Sequence, residues 1–221
     1  MAEINIRGDI ISNDDKWIYD WLEWDSTCPN DVKTAIEDNP EGEKLTVLIN
    51  SGGGSVFAGQ EIYSLLHERE DVEIRIQSLA GSAASVIAMA GPSEMSPVAM
   101  IMIHNVHMRG ASGDYHDMQH NAEVLKRMNE ALANSYMAKT GRDQDEILKL
   151  MDRETWLTAN QALELGFVDA IEGGDESFEN SISGMRLTED IRQKVIAEKA
   201  HADEIEAKKQ NILKDLDSYG I

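Results

Sequence analysis

The stretch LTVLINSGGGSVFAGQEIYSLLHEREDVEIRI, residues 45–76, decides the fold. Leu45-Thr46-Val47-Leu48-Ile49 is a compact apolar run of strand length and reads as a buried strand. Asn50-Ser51-Gly52-Gly53-Gly54 breaks it sharply with turn residues. From Ala58 to Glu70, Ile62, Leu65 and Leu66 share one helical face. Val72, Ile74 and Ile76 then alternate with charged residues, the period of a second strand. Strand, helix and strand at these lengths make an α/β unit with a right-handed crossover.

The pattern continues on both sides. Upstream, Ile4 and Ile6 alternate before Gly8 as a short strand. A polar stretch carrying Trp17, Trp21 and Trp24 follows, read as core packing or a partner surface. Val32–Ile36 reads as a short helix ended by Asn39-Pro40-Glu41-Gly42. Downstream, the small residues Ala80-Gly81-Ser82-Ala83-Ala84-Ser85 lead into an apolar helix over Val86–Ala90. Val98–Ile103 is a strand ending in His104. Ser112-Gly113-Asp114 opens a long helical pattern to about Lys139, with Met118, Ala122, Leu125, Met128 and Leu132 as its inner face. Asp143–Met151 is a further helix. Thr158 and Gln161 form a capping box, Gly166 ends that helix, and Phe167–Ile171 is a last strand.

Composition shifts after Ile171. The expected organisation is a domain over 1–171, a linker over 172–186 and a charged helical tail over 187–221. In the tail, Ile191, Val195, Ala202, Ile205, Ile212, Leu216 and Tyr219 follow three- and four-residue steps, broken by Glu198 and Lys209. A coiled coil, a partner-docking helix and a helix lying on its own domain all fit that pattern.

The whole chain has 221 residues, 42% of them hydrophobic, enough for one packed domain plus a tail. Its 41 acids against 20 bases give a net charge of −21. Such a field repels phosphate backbones and anionic lipid, which argues against a nucleic-acid binder or a basic membrane anchor. The one cysteine, Cys28, permits no intramolecular disulfide and suits a reducing, cytoplasmic setting. The N-terminal residues carry no apolar signal core, and no apolar run is long enough to span a bilayer. Cysteine and histidines are too scattered for a zinc cluster.

Several constellations could carry chemistry. Gly54 and Gly59 have phosphate-loop spacing, but Gln60 and Glu61 stand where a lysine and a hydroxyl are needed. Phe57 replaces the third glycine of a dinucleotide loop. The loop is then either a structural turn or a set of N–H groups facing a reacting oxygen. Ser85, among Gly81, Ala83 and Ala84 and opening a helix, reads as an N-cap, a packing serine or a nucleophile, with Ser82 the competing hydroxyl. His104 at a strand end could act as a base, and His107 could serve instead. His116 and His120 share a helical face, read as a solvated one. Asp152 and Glu154 lie just before the capped helix, and one of them could orient a histidine.

Together these pieces resemble one family. From Ile4 to Ile171 the chain resembles the ClpP serine peptidases, most closely the ClpP-like proteases of phage and prophage head-gene clusters. Asn50-Ser51-Gly52-Gly53-Gly54 is similar to the family's Asn-Ser-Pro-Gly-Gly loop. Gly81-Ser82-Ala83-Ala84-Ser85 is similar to its nucleophile motif, with the serine last. Met102-Ile103-His104 is similar to its Met-Ile-His, and Glu154-Thr155-Trp156-Leu157-Thr158-Ala159 through Gly166-Phe167-Val168-Asp169 to its acid-bearing segment. Gly52 replaces the loop proline, Val86 the usual methionine after the nucleophile, and Glu154 the usual aspartate. The N-terminus leaves little sequence for axial gating loops, and the tail beyond Gly184 lies outside the family core.

The resemblance implies a ClpP/crotonase-like α/β spiral and a serine endopeptidase working through an acyl-enzyme. Ser85 would be the nucleophile, His104 the base and Glu154 the orienting acid, with the N–H groups of Gly54 and Val86 forming the oxyanion hole. It implies no metal or organic cofactor, and a peptide or protein substrate. It also implies a ring-forming homo-oligomer of roughly six or seven subunits per ring. Phage or prophage capsid or scaffold processing is the expected setting, either without an ATPase or assisted by one. A crotonase-like acyl-CoA enzyme and a catalytically inactive assembly protein are the alternatives.

Overall fold

The computed structural model describes residues 2–40 and 42–173, with 193, 194, 196, 197, 199, 208 and 209 of the C-terminal segment. The chain divides into two compact units, Met1–Asn180 and Ser181–Ile221. The described residues of the second unit are helical. The rest of the expected tail, and the expected linker beyond 173, lie outside the described residues.

In the first unit the strands are β1 (Ala2–Ile10), β2 (Ser26–Thr27), β3 (Leu45–Gly54), β4 (Val72–Gly81), β5 (Ser93–Met95), β6 (Met100–Ile103), β7 (Thr155–Thr158) and β8 (Ala170–Ile171). The helices are α1 (Lys16–Trp21), α2 (Pro29–Glu37), α3 (Val56–His67), α4 (Ala83–Ala88), α5 (Tyr115–Thr140), α6 (Gln144–Asp152) and α7 (Ala159–Glu164), and a 3-10 turn over Asn13–Asp15 precedes α1. Among the described residues, one sheet runs in the order β2-β1-β3-β4-β5-β8, and all of these pairings are parallel. The mixed α/β architecture expected from residues 45–76 is therefore present.

The sheet forks at β4. Its first half, Ile74–Ile76, pairs with β5, while Leu79, Ala80 and Gly81 pair in parallel with Met100, Ile101 and Met102 of β6. On its other side β6 meets β7 antiparallel, with Ile103 opposite Thr155. The fork carries the end of β4, the end of β6 and the start of β7 to one side of the sheet.

Burial explains the strand patterns. Leu45, Val47, Ile49, Ile74, Ile76, Ile101 and Ile103 are almost fully buried, and Ile62 and Leu66 of α3 pack with them in the same core. Helices α3 and α4 pack so closely that a Cβ on Gly59 would lie 2.9 Å from the Ala83 methyl. Caps set the helix starts. The Asp114 carboxylate accepts from the N–H groups of His116 and Asp117 at 2.8 and 3.2 Å, and Thr158 with Gln161 forms the expected capping box.

Four local expectations need correction. Strand β3 runs on through the glycines to Gly54, because Asp9 and Ile10 of β1 pair with Gly53 and Gly54. Helix α4 starts at Ala83, not Val86. The short strands β5 and β7 were not legible as strands. The expected inner face of α5 is buried only toward its end: Leu132, Ala133, Ser135 and Tyr136 are buried, whereas Met118 is 38% exposed.

Candidate active site

The early start of α4 changes the roles of two serines. Ser82 is the N-cap of α4, not a residue of the loop before it. Its backbone has φ 52° and ψ −123°, a conformation that an L-residue with a Cβ rarely adopts. Its side chain makes no capping bond. Instead, Ser82 Oγ lies 2.8 Å from His104 Nε2. The strand pairing makes that contact geometrically natural: Gly81 is in register with Met102, and the Ser82 N–H donates to the Met102 carbonyl at 2.8 Å. Ser82 and His104 are thus the residues that follow two neighbouring parallel strands.

Ser85 was expected against His104, and the structure does not put it there. It lies inside α4, fully buried. Its hydroxyl donates to the Ser82 carbonyl at 2.6 Å and lies 2.8 Å from the Tyr136 hydroxyl. The physical reason is the helix register. Three residues past the cap, a side chain points back along the helix into the core, not out from its first turn. The expectation for Val86 moves with it. Val86 is the fourth residue of α4 and buried, past the four N–H groups, the cap's own included, that a helix start leaves without a carbonyl four residues back. Ala83, directly after Ser82, supplies the first of those from within the helix.

The glycine loop lies beside the Ser82 turn. A Cβ on Gly53, whose φ is +96°, would come within 2.6 Å of both the Gly81 carbonyl oxygen and Ser82 Cβ. Ser51 pins the loop from below: its Oγ donates to the Gly8 carbonyl at 2.6 Å and accepts from the Gly53 N–H at 3.0 Å. Gly54, expected as an oxyanion donor, is exposed, next to Gly53 and paired with Ile10.

Around His104, Nδ1 lies 3.1 Å from His107 Nε2, with the two rings tilted by 34°. Glu154 immediately precedes β7. Extending the β6–β7 register by one pair sets it opposite His104. Its carboxylate is exposed and accepts from Trp156 Nε1 at 3.2 Å, and its φ is 50°. Asp152 accepts from the Asn105 side chain at 2.8 Å. Three adjacent strand ends therefore carry Ser82, His104 and Glu154 side by side, and Ser82 and His104 are in contact there. His116 and His120 are exposed on α5, and among the described residues no group of three or more His, Cys, Asp or Glu side chains is set to hold a metal ion. No described helix is long and apolar enough to cross a membrane.

The sequence reading sets Ser85 ahead of Ser82 and gives no sign of the Ser85–Tyr136 contact. One signal bears on which of the two serines caps the helix. Alanine is the best helix former, so Ala83-Ala84 extends the apolar helix backward, and serine is a preferred N-cap.

Known proteins bear on what this arrangement does. A family model described as Clp protease matches residues 31–174. The ATP-dependent Clp protease proteolytic subunit 1 of Corynebacterium glutamicum is 32% identical over 154 residues, 66% of this chain and 74% of that protein. The subunit 1 of Corynebacterium efficiens matches to the same extent, 32% over 154 residues. The ATP-dependent Clp protease proteolytic subunit of Bdellovibrio bacteriovorus is 35% identical over 140 residues, 61% of this chain and 66% of that protein. With a forked parallel sheet and a serine–histidine contact at its strand ends, the chain belongs to the Clp protease family and is a ClpP-family serine peptidase, a hydrolase.

Proposed function

We propose that the chain cleaves peptide bonds with Ser82 as nucleophile and His104 as its base. The observation that carries this reading is the 2.8 Å approach of His104 Nε2 to Ser82 Oγ. Ser82 Oγ attacks the scissile carbonyl carbon while its proton passes to Nε2. The imidazolium then protonates the leaving amine, and water hydrolyses the ester by the same steps in reverse. The N–H groups of Ala83 and Gly54 receive the developing oxyanion. Losing one such donor typically costs about 3 kcal/mol of transition-state stabilisation. The test is hydrolysis of a short fluorogenic peptide by Ser82→Ala and Ser85→Ala. Abolished turnover in the first, with residual turnover in the second, supports the assignment. The reverse pattern rejects it.

For Nε2 to accept a proton, the neutral imidazole must carry its hydrogen on Nδ1. Glu154 is our choice for the group that holds this tautomer, on the strength of its register position opposite His104. A specific contact favours a second reading, in which His107 does so through its 3.1 Å approach to Nδ1. Turnover of Glu154→Gln and His107→Phe separates them, since the variant that loses the orienting group loses orders of magnitude.

Family membership implies protein substrates and a ring-forming oligomer. The exposed first half of α5, with Tyr115 and Met118 on its surface, is the proposed stacking element. A charge of −21 per subunit opposes close packing of copies, so assembly strengthens as salt screens the repulsion. Sedimentation across ionic strength tests this, and an active monomer at every salt concentration contradicts it.

The cytoplasm of a phage-infected or prophage-bearing cell, with capsid or scaffold protein as substrate, is the proposed setting. It rests on the motif resemblance and the charged sequence beyond Gly184. The relatives' names describe ATP-dependent proteases; here short-peptide cleavage is proposed to need no ATPase. Cleavage-site mapping with scaffold and capsid proteins, with and without ATP, tests both points.

A further inference from the structure

Ser85 and Tyr136 form a buried polar pair behind the strained serine, and Tyr136 belongs to the same core as Ala83, Ala84, Val86, Ile87 and Phe167. Ser85 is fully buried and Tyr136 is 1% exposed. Resting on the reading of Ser82 as nucleophile, we propose that Ser85 and Tyr136 are positioning residues that lock the Ser82–Ala83 peptide, and with it both the nucleophile and one oxyanion donor.

The proton order follows from counting donors. Ser85 Oγ has one hydrogen and lies 2.6 Å from the Ser82 carbonyl oxygen, which can only accept. The 2.8 Å contact with Tyr136 must then be donated by the tyrosine. Burial pushes the Tyr136 phenol up, even against its bond to Ser85, so it keeps its proton and remains a donor. Its ring rests against Phe167, with centroids 5.8 Å apart. The chain runs Tyr136 O–H to Ser85 Oγ, then Ser85 O–H to the Ser82 carbonyl, each bond polarising the next. The Ser85 N–H donates to the same carbonyl at 2.9 Å.

A planar trans peptide converts this anchor into an aim. Its C=O and N–H point in opposite directions. Holding the Ser82 carbonyl inward toward Ser85 turns the Ala83 N–H outward. The same anchor fixes ψ of Ser82, whose φ of 52° is intrinsically unfavourable and persists only when its surroundings over-determine it. A packing role alone needs no hydroxyls here. Alanine and phenylalanine would fill the same space without burying two polar groups.

The test uses Tyr136→Phe, Ser85→Ala and the double variant in the full chain. Turnover of a short peptide is expressed per active site, counted by fluorophosphonate labelling carried to completion, so unfolded protein drops out. Affinity for a peptide aldehyde, which forms an oxyanion at the site, is measured alongside. Each single variant should lose about tenfold in kcat with KM within about twofold, and lose aldehyde affinity in parallel. The double variant should be no slower than Ser85→Ala, because Tyr136 acts through Ser85. Unchanged kcat per labelled site in Tyr136→Phe, or losses that multiply in the double variant, would overturn the proposal. Tyr136→Phe is near-isosteric and carries the test if Ser85→Ala folds poorly. Failure of the nucleophile assignment looks different: Ser82→Ala would still label and turn over.

Discussion

Two helices in this molecule begin at a serine just after a parallel strand, and the two serines have nearly mirror-image backbones. Ser55, between β3 and α3, has φ −63° and ψ 122°, whereas Ser82, between β4 and α4, has φ 52° and ψ −123°. Ser55 does what a capping serine usually does: its hydroxyl accepts from the Ala58 N–H. Ser82 leaves its helix uncapped and turns its hydroxyl to His104. In the first turn the left-handed dihedrals fall on Gly53 and Gly54, which adopt them without a Cβ clash. In the second they fall on Ser82, the residue proposed as nucleophile. An unfavourable backbone on a non-glycine, with its cap bond forgone, is what sets this serine apart physically from Ser55.

The contrast can be broken by substitution. The largest effect is expected at Ser82. Ser82→Ala should lower kcat/KM by about 10⁴-fold or more with little change in melting temperature, whereas Ser55→Ala should stay within about twofold of the parent. Peptide-hydrolysis kinetics check both. Next comes Gly53→Ala. The new methyl would sit 2.6 Å from the Gly81 carbonyl oxygen and from Ser82 Cβ, so the two turns must separate. A loss of about 10²-fold in kcat is expected from the displaced nucleophile.

Smaller effects concern stability, measured by denaturant unfolding. Ser82→Gly removes the Cβ from the unfavourable backbone and should be more stable than Ser82→Ala by about 1 kcal/mol, though equally inactive. Ser55→Ala should cost roughly 0.5 kcal/mol, the low end for a cap, since its bond to Ala58 is 3.4 Å long. If Ser82→Gly proves less stable than Ser82→Ala, the strain assigned to Ser82 is absent and the two turns are equivalent.

Much of this comparison was legible in the amino-acid order. The β3–α3–β4 unit follows from the run at Leu45–Ile49, the face of Ile62 and Leu66, and the alternation at Val72–Ile76, all of which the core buries. His104 was legible because it ends an apolar strand. The choice between Ser82 and Ser85 was not, because Ala83 and Ala84 read equally well as a small-residue loop or as a first helical turn. Only the position of the helix start, three residues earlier than expected, tells the cap from a core position. Strand β7 escaped because Thr155–Thr158 has four residues and owes its strand conformation to pairing with β6, a long-range contact. Tyr136 carried no local signal: it lies 51 residues from Ser85, and only the fold brings the two hydroxyls together.

The assignment of the nucleophile is tested most directly by chemistry that marks it. The chain would be treated with a fluorophosphonate, digested with trypsin, and the modified residue located by tandem mass spectrometry, which resolves Ser82 from Ser85 within the peptide spanning 76–109. A single adduct on Ser82, lost in Ser82→Ala and retained in Ser85→Ala, is the expected result. An adduct on Ser85 that survives Ser82→Ala would contradict the central claim.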